Sequence, residues 1–219
     1  MKNLSNENII HDDVLRFRKL LEYNLEHYIT CKNSKVEIPE SIHPKQSHTK
    51  NVEIYKEGMN LEDIDGLITD EQGIAITLRY ADCIPLLFYD PVKNVVANIH
   101  SGWKGTLQKI GQIATKKMIN EMGCDPKDII CAIGPSIRKC HFEVQEDVNS
   151  LFREEFSYAI NGKYIDTVLI NKVLLKEIGL KTENIIDSEI CTVCNKDLLY
   201  SYRGNNDKGR MTALICMKN

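Results

Sequence analysis

A chain of 219 residues is long enough to bury a core of its own and is read as one domain, 1–219. Hydrophobic residues make up 42% and charged residues 27%, close to the globular average, which excludes a disordered, collagenous or coiled-coil chain. With 28 Lys and Arg against 31 Asp and Glu, the net charge of -3 argues against a nucleic-acid backbone as partner and for a small molecule or a protein.

No stretch approaches the ~20 apolar residues of a bilayer span; the longest apolar pieces are 84–89 and 213–217. Residues 1–10 carry Asn and Glu where an export signal needs a basic start and an apolar run. A cytoplasmic protein with no membrane partner is expected. Its eight cysteines then read as buried thiols, metal ligands or nucleophiles rather than a disulfide framework.

In chain order, residues 11–29 place Val14, Phe17, Leu20, Leu21, Leu25 and Tyr28 at spacings of three and four, which predicts a helix. Residues 36–55 are broken by Pro39 and Pro44, with His48 ahead of a strand at 52–55. Aliphatic runs at 66–69 and 73–78 predict a hairpin around Asp70-Glu71. Strands at 84–89 and 95–100 flank Asp90-Pro91-Val92-Lys93, where Asp first and Pro second suit a type I turn.

Gly105-Thr106 opens a helix striped by Leu107, Ile110, Ala114 and Met118, with Thr106 as N-cap and Gly123 as stop. A strand at 129–133 follows, then a helix over 146–155 with Val148, Leu151 and Phe152 inward. A further helix at 167–180 and strands at 185–190 and 212–217 enclose a polar loop, 203–210. Without strict βα alternation, the predicted class is α+β with mixed sheets flanked by helices.

The 84–100 hairpin makes a geometric statement possible. With the turn at 90–93, Tyr89 faces Asn94 and Cys83 faces His100, Cβ atoms about 4.5–5.5 Å apart. A thiol opposed to an imidazole suits two ligands of one metal, a nucleophile with its base, or a buried thiol beside a satisfied strand-end histidine. The flank Ser101-Gly102-Trp103-Lys104-Gly105 puts the only tryptophan between two glycines at a strand-to-helix corner, where either a ligand or a packed ring fits. Asp82, beside Cys83, is a carboxylate that orients a ligand or holds a proton, or a solvated turn residue.

These residues carry a resemblance. Gln46-Ser47-His48, Asp65-Gly66-Leu67-Ile68-Thr69, Ala81-Asp82-Cys83-Ile84-Pro85, His100-Ser101-Gly102-Trp103-Lys104-Gly105, Ile133-Gly134-Pro135-Ser136-Ile137, Cys140-His141-Phe142-Glu143-Val144 and Ser201-Tyr202-Arg203 together resemble the bacterial multicopper polyphenol oxidoreductase (laccase) domain family. Its members are regarded as zinc-dependent purine nucleoside phosphorylases with adenosine deaminase activity. The resemblance implies that His48, Cys83 and His100 hold the metal, three protein ligands with a fourth position open, as a catalytic zinc site requires. It implies inosine, adenosine and S-methyl-5'-thioadenosine as nucleoside substrates, with phosphate as co-substrate. Trp103, Arg203 and Arg210 are candidate substrate contacts, and Asp82 is a candidate general base.

Departures from the family pattern are Thr49 in place of Gly and Cys140-His141 in place of a pair of cysteines. The chain also starts almost at the segment resembled by 3–18, which implies that a substrate or phosphate contact from a preceding region is missing. Cys191 and Cys194 have CxxC spacing, but no second CxxC or His pair accompanies them, so no structural zinc or thioredoxin-like site is expected. His11, His27 and His43 are expected at the surface. Arg203, Lys208 and Arg210 suit an anion-binding loop, with a solvated charged loop as the plainer reading.

The function expected is therefore that of a zinc enzyme on purine nucleosides, with zinc preferred over copper. A copper polyphenol oxidase is the first rival, but six histidines are few for a multicopper centre. A cysteine hydrolase or amidase using Cys83 and His100 is the second, and a non-catalytic binding descendant the third. The sequence leaves oligomeric state open.

Overall fold

Asp12 and Asp13 both take left-handed backbone (φ 52° and 58°) in the computed structural model, which describes residues 7–219. They reverse β1 (Asn8–His11) onto β2 (Val14–Phe17), with His11 opposite Val14. Positive φ at both central residues makes the hairpin turn that matches strand twist. A 3-10 turn (Arg18–Glu22) and β3 (Leu25–Thr30) follow, so the helix predicted over 11–29 is a correction. Its apparent period arose because two strands and a turn contribute Val14, Phe17, Leu20, Leu25 and Tyr28 to buried faces, while Leu21 is exposed. Of the segment read as lacking an export signal, residues 1–6 lie outside the described residues.

The remaining strands are β4 (Val52–Ile54), β5 (Gly66–Thr69), β6 (Ile76–Tyr80), β7 (Ile84–Asp90), β8 (Val95–Ser101), β9 (Ile130–Ile133), β10 (Ile160–Asn161), β11 (Tyr164–Ile165), β12 (Ile185–Asp187) and β13 (Met211–Met217). The helices are α1 (Trp103–Leu107), α2 (Ile110–Met122), α3 (Glu146–Phe156), α4 (Thr167–Glu177) and α5 (Tyr202–Asn205). An antiparallel sheet runs β1-β2-β3-β13-β6, and a mixed sheet runs β12-β9-β7-β8-β5-β4, in agreement with the α+β class. Among the described residues no helix is long and apolar enough to cross a membrane.

The mixed sheet is the middle of three layers. One face, with Leu87, Tyr89, Val96 and Ala132, packs on Leu15, Ile29, Ala213 and Ile215 of the antiparallel sheet. The other, with Leu86, Phe88, Ala97 and Ile99, packs on Ile110, Ala114 and Met118 of α2 and on Val168 and Leu175 of α4. Burial on both faces explains why β7 and β8 read as continuous apolar runs. Asn98 is a polar residue buried between the sheets; its Nδ2 donates to the Ile76 carbonyl (3.0 Å) and the Ala213 carbonyl (2.9 Å).

The strands predicted at 66–69 and 73–78 do not form a hairpin: β5 pairs with β4 and β8, whereas β6 pairs with β13 in the other sheet. The β7–β8 hairpin exists in a different register, with Asp90 opposite Val95 and Pro85 opposite His100. The Asp90 carboxylate accepts from Val92 and Lys93 backbone N–H groups (2.8 and 3.0 Å) and Asn94 takes φ 53°. These contacts hold residues 91–94 out of the ladder, and Cys83 falls just before β7 instead of opposite His100.

Gly123 caps α2 at φ 70°, as expected, but Lys109 (φ 61°) separates α1 from α2. Thr106 is buried inside α1 with its hydroxyl on Ser101 (2.9 Å) and is not an N-cap. In α3 the buried stripe is Asn149, Phe152 and Phe156, and Leu151 points outward at 51% exposure. His27 is also a correction: it lies in the core, its Nε2 accepting from the Phe17 N–H (2.9 Å), and burial pulls its pKa down to about 4.

Candidate functional site

Asp65, fully buried at the head of β5, organises the site. Its carboxylate accepts from the backbone N–H groups of Ser47 (3.2 Å), His48 (3.1 Å) and Thr49 (2.7 Å), and from the Thr49 hydroxyl (2.7 Å). The same group accepts from His100 Nδ1 (2.8 Å), while the Asp65 carbonyl accepts from the His100 N–H (2.7 Å). The Gln46 side-chain oxygen accepts from the Arg79 N–H (3.0 Å) and ties the start of this loop to β6. His48, at φ 60°, is thereby turned toward β8, its ring 4.9 Å from that of His100 at 75°.

Cys83 completes the group. Its sulfur lies 3.9 Å from His48 Nε2, and donor atoms of His48, Cys83 and His100 all lie within 4.8 Å of one another. Because an ionised Asp65 can only accept, the last proton of the His100 ring sits on Nδ1, and once Nε2 gives up its proton its lone pair faces the group, the tautomer a metal ligand needs. Gly102 makes room for the group: a Cβ there would meet His48 Cδ2 at 3.0 Å and the Cys83 sulfur at 3.3 Å. Two imidazoles and one thiolate match zinc in donor chemistry and in number for an open site.

The electrostatics are mutual. Burial alone would raise Asp65, but the donations from His100 and Thr49 hold it at about 2. Burial would likewise lower His100, yet Asp65 and Cys83 push it up to about 9. Cys83 is opposed by burial as well, and the two histidines bring it down to about 6. The thiol is thus poised as a thiolate by its neighbours.

Asp82, beside it at φ 69°, is buried and accepts from Thr192 Oγ1 (2.5 Å), Ser201 Oγ (2.8 Å) and the Arg203 N–H (2.9 Å). Its carboxylate binds the loop carrying Arg203 to the bend carrying Cys83. That arrangement differs from the free carboxylate that a general base needs.

A cavity of about 270 Å³ opens on the group, lined by His48, Asp82, Cys83, Trp103, Arg203 and Arg210 among others. It adjoins a larger one of about 560 Å³ through Trp103, Phe142 and Arg203. Arg203 lies over the Phe142 ring, 5.6 Å from its centre, and Nη1 donates to the Glu143 carbonyl (2.8 Å). On the far side of His48 and Cys83, Arg79, Lys208 and Arg210 line a third cavity of about 510 Å³, whose wall includes His100. His48, Cys83 and Arg210 thus line both the first and the third cavity, with Asp82, Trp103 and Arg203 on the first but not the third, and His100 on the third but not the first.

The sequence alone assigned no role to Asp65 or Thr192, and to Gly102 only that of a corner glycine that admits a ligand or a ring. Asp65 stood in a quoted segment, and its position ahead of a buried strand was the available signal. A second group was missed outright: Cys140, His141, Cys191 and Cys194 also bring their ligand atoms within 4.8 Å of one another. The CxxC pair does have partners, an adjacent Cys-His pair about fifty residues upstream.

Over residues 24–218 the chain matches the family described as Multi-copper polyphenol oxidoreductase laccase. It is 36% identical over 167 residues to the purine nucleoside phosphorylase YlmD of Bacillus subtilis, an alignment covering 72% of this chain and 60% of that one. It is 29% identical over 187 residues to the adenosine deaminase RL5 of an unknown prokaryotic organism, covering 77% and 71%. The crystal structure of the hypothetical protein YfiH of Bacillus licheniformis shares the fold, with a TM-score of 0.87 at 25% identity over 98% of this chain and 100% of that one. The match thus spans three fifths of the YlmD length.

Proposed function

The chain belongs to the multi-copper polyphenol oxidoreductase laccase family, and from that membership we propose that it is a zinc-dependent purine nucleoside phosphorylase with adenosine deaminase activity. Inosine, adenosine and S-methyl-5'-thioadenosine are the nucleosides, and phosphate is the co-substrate. The observation that carries this reading is the grouping of His48, Cys83 and His100 where two cavities meet, His48 and Cys83 lining one with Trp103, Arg203 and Arg210 and His100 lining the other.

In this reading His48, Cys83 and His100 hold the zinc, and Asp65 orients His100 and the His48 loop. Zinc at such a site supplies Lewis acidity and lowers the pKa of a bound water toward about 7. Trp103 offers flat apolar surface to a purine ring, beside Phe142 and the Arg203 guanidinium that covers it. Arg79, Lys208 and Arg210 give the adjoining cavity the charge that holds phosphate against the ribose. Asp82 positions Cys83 and the Arg203 loop.

Copper is disfavoured by the placement of the histidines. Among the described residues only His48 and His100 reach this group, while His27 lies in the core and His141 belongs to the other cluster; a multicopper centre needs more imidazoles. The pair formed by a lowered Cys83 and a raised His100 supports a second reading, a cysteine hydrolase with a thiolate nucleophile.

Chromatography of inosine incubated with phosphate and purified protein tests the proposal. Hypoxanthine formed only when phosphate is present is expected, as is conversion of adenosine to inosine or adenine. Phosphate-independent cleavage would reduce the activity to a nucleosidase, and a covalent substrate adduct on Cys83, found by mass spectrometry, would establish the hydrolase instead.

A further inference from the structure

We propose that Cys140, His141, Cys191 and Cys194 form a second zinc site, closed and structural, that fastens two loops at the wall of the cavity. The distances are those of a coordination sphere. Cys140 Sγ lies 3.9 Å from Cys194 Sγ, and His141 Nδ1 lies 3.2, 3.7 and 3.5 Å from the sulfurs of Cys140, Cys191 and Cys194. Four ligands arranged tetrahedrally at ordinary zinc bond lengths stand about 3.8 Å apart for two sulfurs and about 3.5 Å for a sulfur and a nitrogen.

A disulfide is a poor account of the same atoms. Sulfur–sulfur bonding needs about 2.05 Å, and it would leave a third thiol and an imidazole nitrogen gathered at the same point for no reason. Three thiolates and one histidine is a familiar closed zinc set, in contrast with the three-ligand group around Cys83. The group is also reachable, since Cys140, His141 and Cys194 are exposed and Cys191 is buried beneath them.

The backbone prepares the site before any ion arrives. Ser136 and Cys191 are bridged in parallel, Ser136 N–H donating to the Ile190 carbonyl (3.2 Å) and Thr192 N–H to the Ser136 carbonyl (3.0 Å). From that bridge one turn carries Cys140 and His141, its His141 and Phe142 N–H groups on the Arg138 carbonyl (each 2.8 Å), and another carries Cys191 and Cys194, closed by Asn195 N–H on the Cys191 carbonyl (3.1 Å). Residues 188–200 contain no helix or long strand, so a cross-link there replaces the ladder hydrogen bonds that fix other segments.

The consequence reaches the first site. Phe142 and Val193, each next to a ligand, line the larger cavity with Trp103 and Arg203. Thr192, between Cys191 and Val193, donates to Asp82 (2.5 Å), the neighbour of Cys83. The second ion would hold the aromatic wall and the Asp82 network in place without touching substrate.

The test is metal content of the full chain loaded with excess zinc and freed of loosely bound ion by gel filtration, a readout independent of nucleoside turnover. Two zinc per chain are expected in the parent protein, one in His48→Ala/Cys83→Ser and one in Cys140→Ser/Cys194→Ser. Cobalt added to metal-free His48→Ala/Cys83→Ser protein should give thiolate-to-cobalt absorption, since only the second group then supplies sulfur. Should the Cys140 and Cys194 double variant fail to fold, His141→Cys should keep the second equivalent against a competing chelator and His141→Ala should yield it to the same chelator. Zinc content unchanged by Cys140→Ser/Cys194→Ser, no zinc and no thiolate-to-cobalt absorption in the first-site variant, or a Cys140–Cys194 disulfide in freshly isolated protein would each overturn the proposal.

Discussion

The Asp65 carboxylate accepts from His100 Nδ1 at 2.8 Å and from the backbone of residues 47–49, so one buried anion aims two of the three candidate ligands around Cys83. Removing that charge should disorient both histidines at once. Asp65→Asn is expected to weaken zinc binding at this site by about 10–100-fold, the usual effect of losing a carboxylate behind a ligating histidine. Competition with a chromophoric chelator measures it, and an unchanged zinc affinity would show that Asp65 serves the fold alone.

Gly102 provides a narrower probe. Its φ of -70° suits any residue, so Gly102→Ala costs the backbone little, about 1 kcal/mol or less at a helix N-cap. The new methyl would nevertheless press on His48 and Cys83. Zinc content and turnover should fall well beyond the small change in melting temperature; retention of both would mean that the ligands move aside freely.

Cys83→Ser separates metal chemistry from thiol chemistry. A hydroxyl ionises poorly and binds zinc weakly, so metal content at this site and turnover should drop together, with partial recovery of both in added zinc. Loss of turnover with full metal content would favour the nucleophile.

His27 predicts a pH dependence of stability. When unfolded it binds a proton near the ordinary histidine value of about 6.5, whereas its folded pKa is about 4 because burial disfavours the charged ring. Its neutral burial therefore favours the fold fully above pH 6.5, and that contribution disappears as pH falls toward 4, at most about 3 kcal/mol. Urea midpoints at pH 7.5 and pH 5 should differ less in His27→Gln, whose amide oxygen can still accept from Phe17. An equal difference in both proteins would place the acid sensitivity elsewhere.

The sequence disclosed most where chemistry and spacing are local. The candidate ligands His48, Cys83 and His100 stand in short recognisable segments, and Gly123 marks the end of α2 because a left-handed cap favours glycine. It disclosed least where distant segments decide. Cys83 and His100 do meet, but through the left-handed bend at Asp82 and the Asp65 contacts, not through the cross-strand pairing inferred from a tighter turn. The helix expected over 11–29 failed because Asp12 and Asp13 look like solvent-facing charges until their backbone is seen. The Cys140 and Cys191 turns are brought together by the Ser136 bridge, a contact without any signature in residue spacing.

The order of strands in the antiparallel sheet bears on how the protein is made. β13 lies between β3 and β6 and pairs with both along most of its length, yet it is translated after every other element of the described chain. A nascent chain that has reached residue 210 holds two facing strand edges with nothing to join them, one ending the β1-β2-β3 set and the other belonging to β6. Unpaired edges of this kind recruit strands from other molecules. Until Met211–Met217 leaves the ribosome, the growing chain depends on dilution or on a chaperone to keep those edges from a wrong partner.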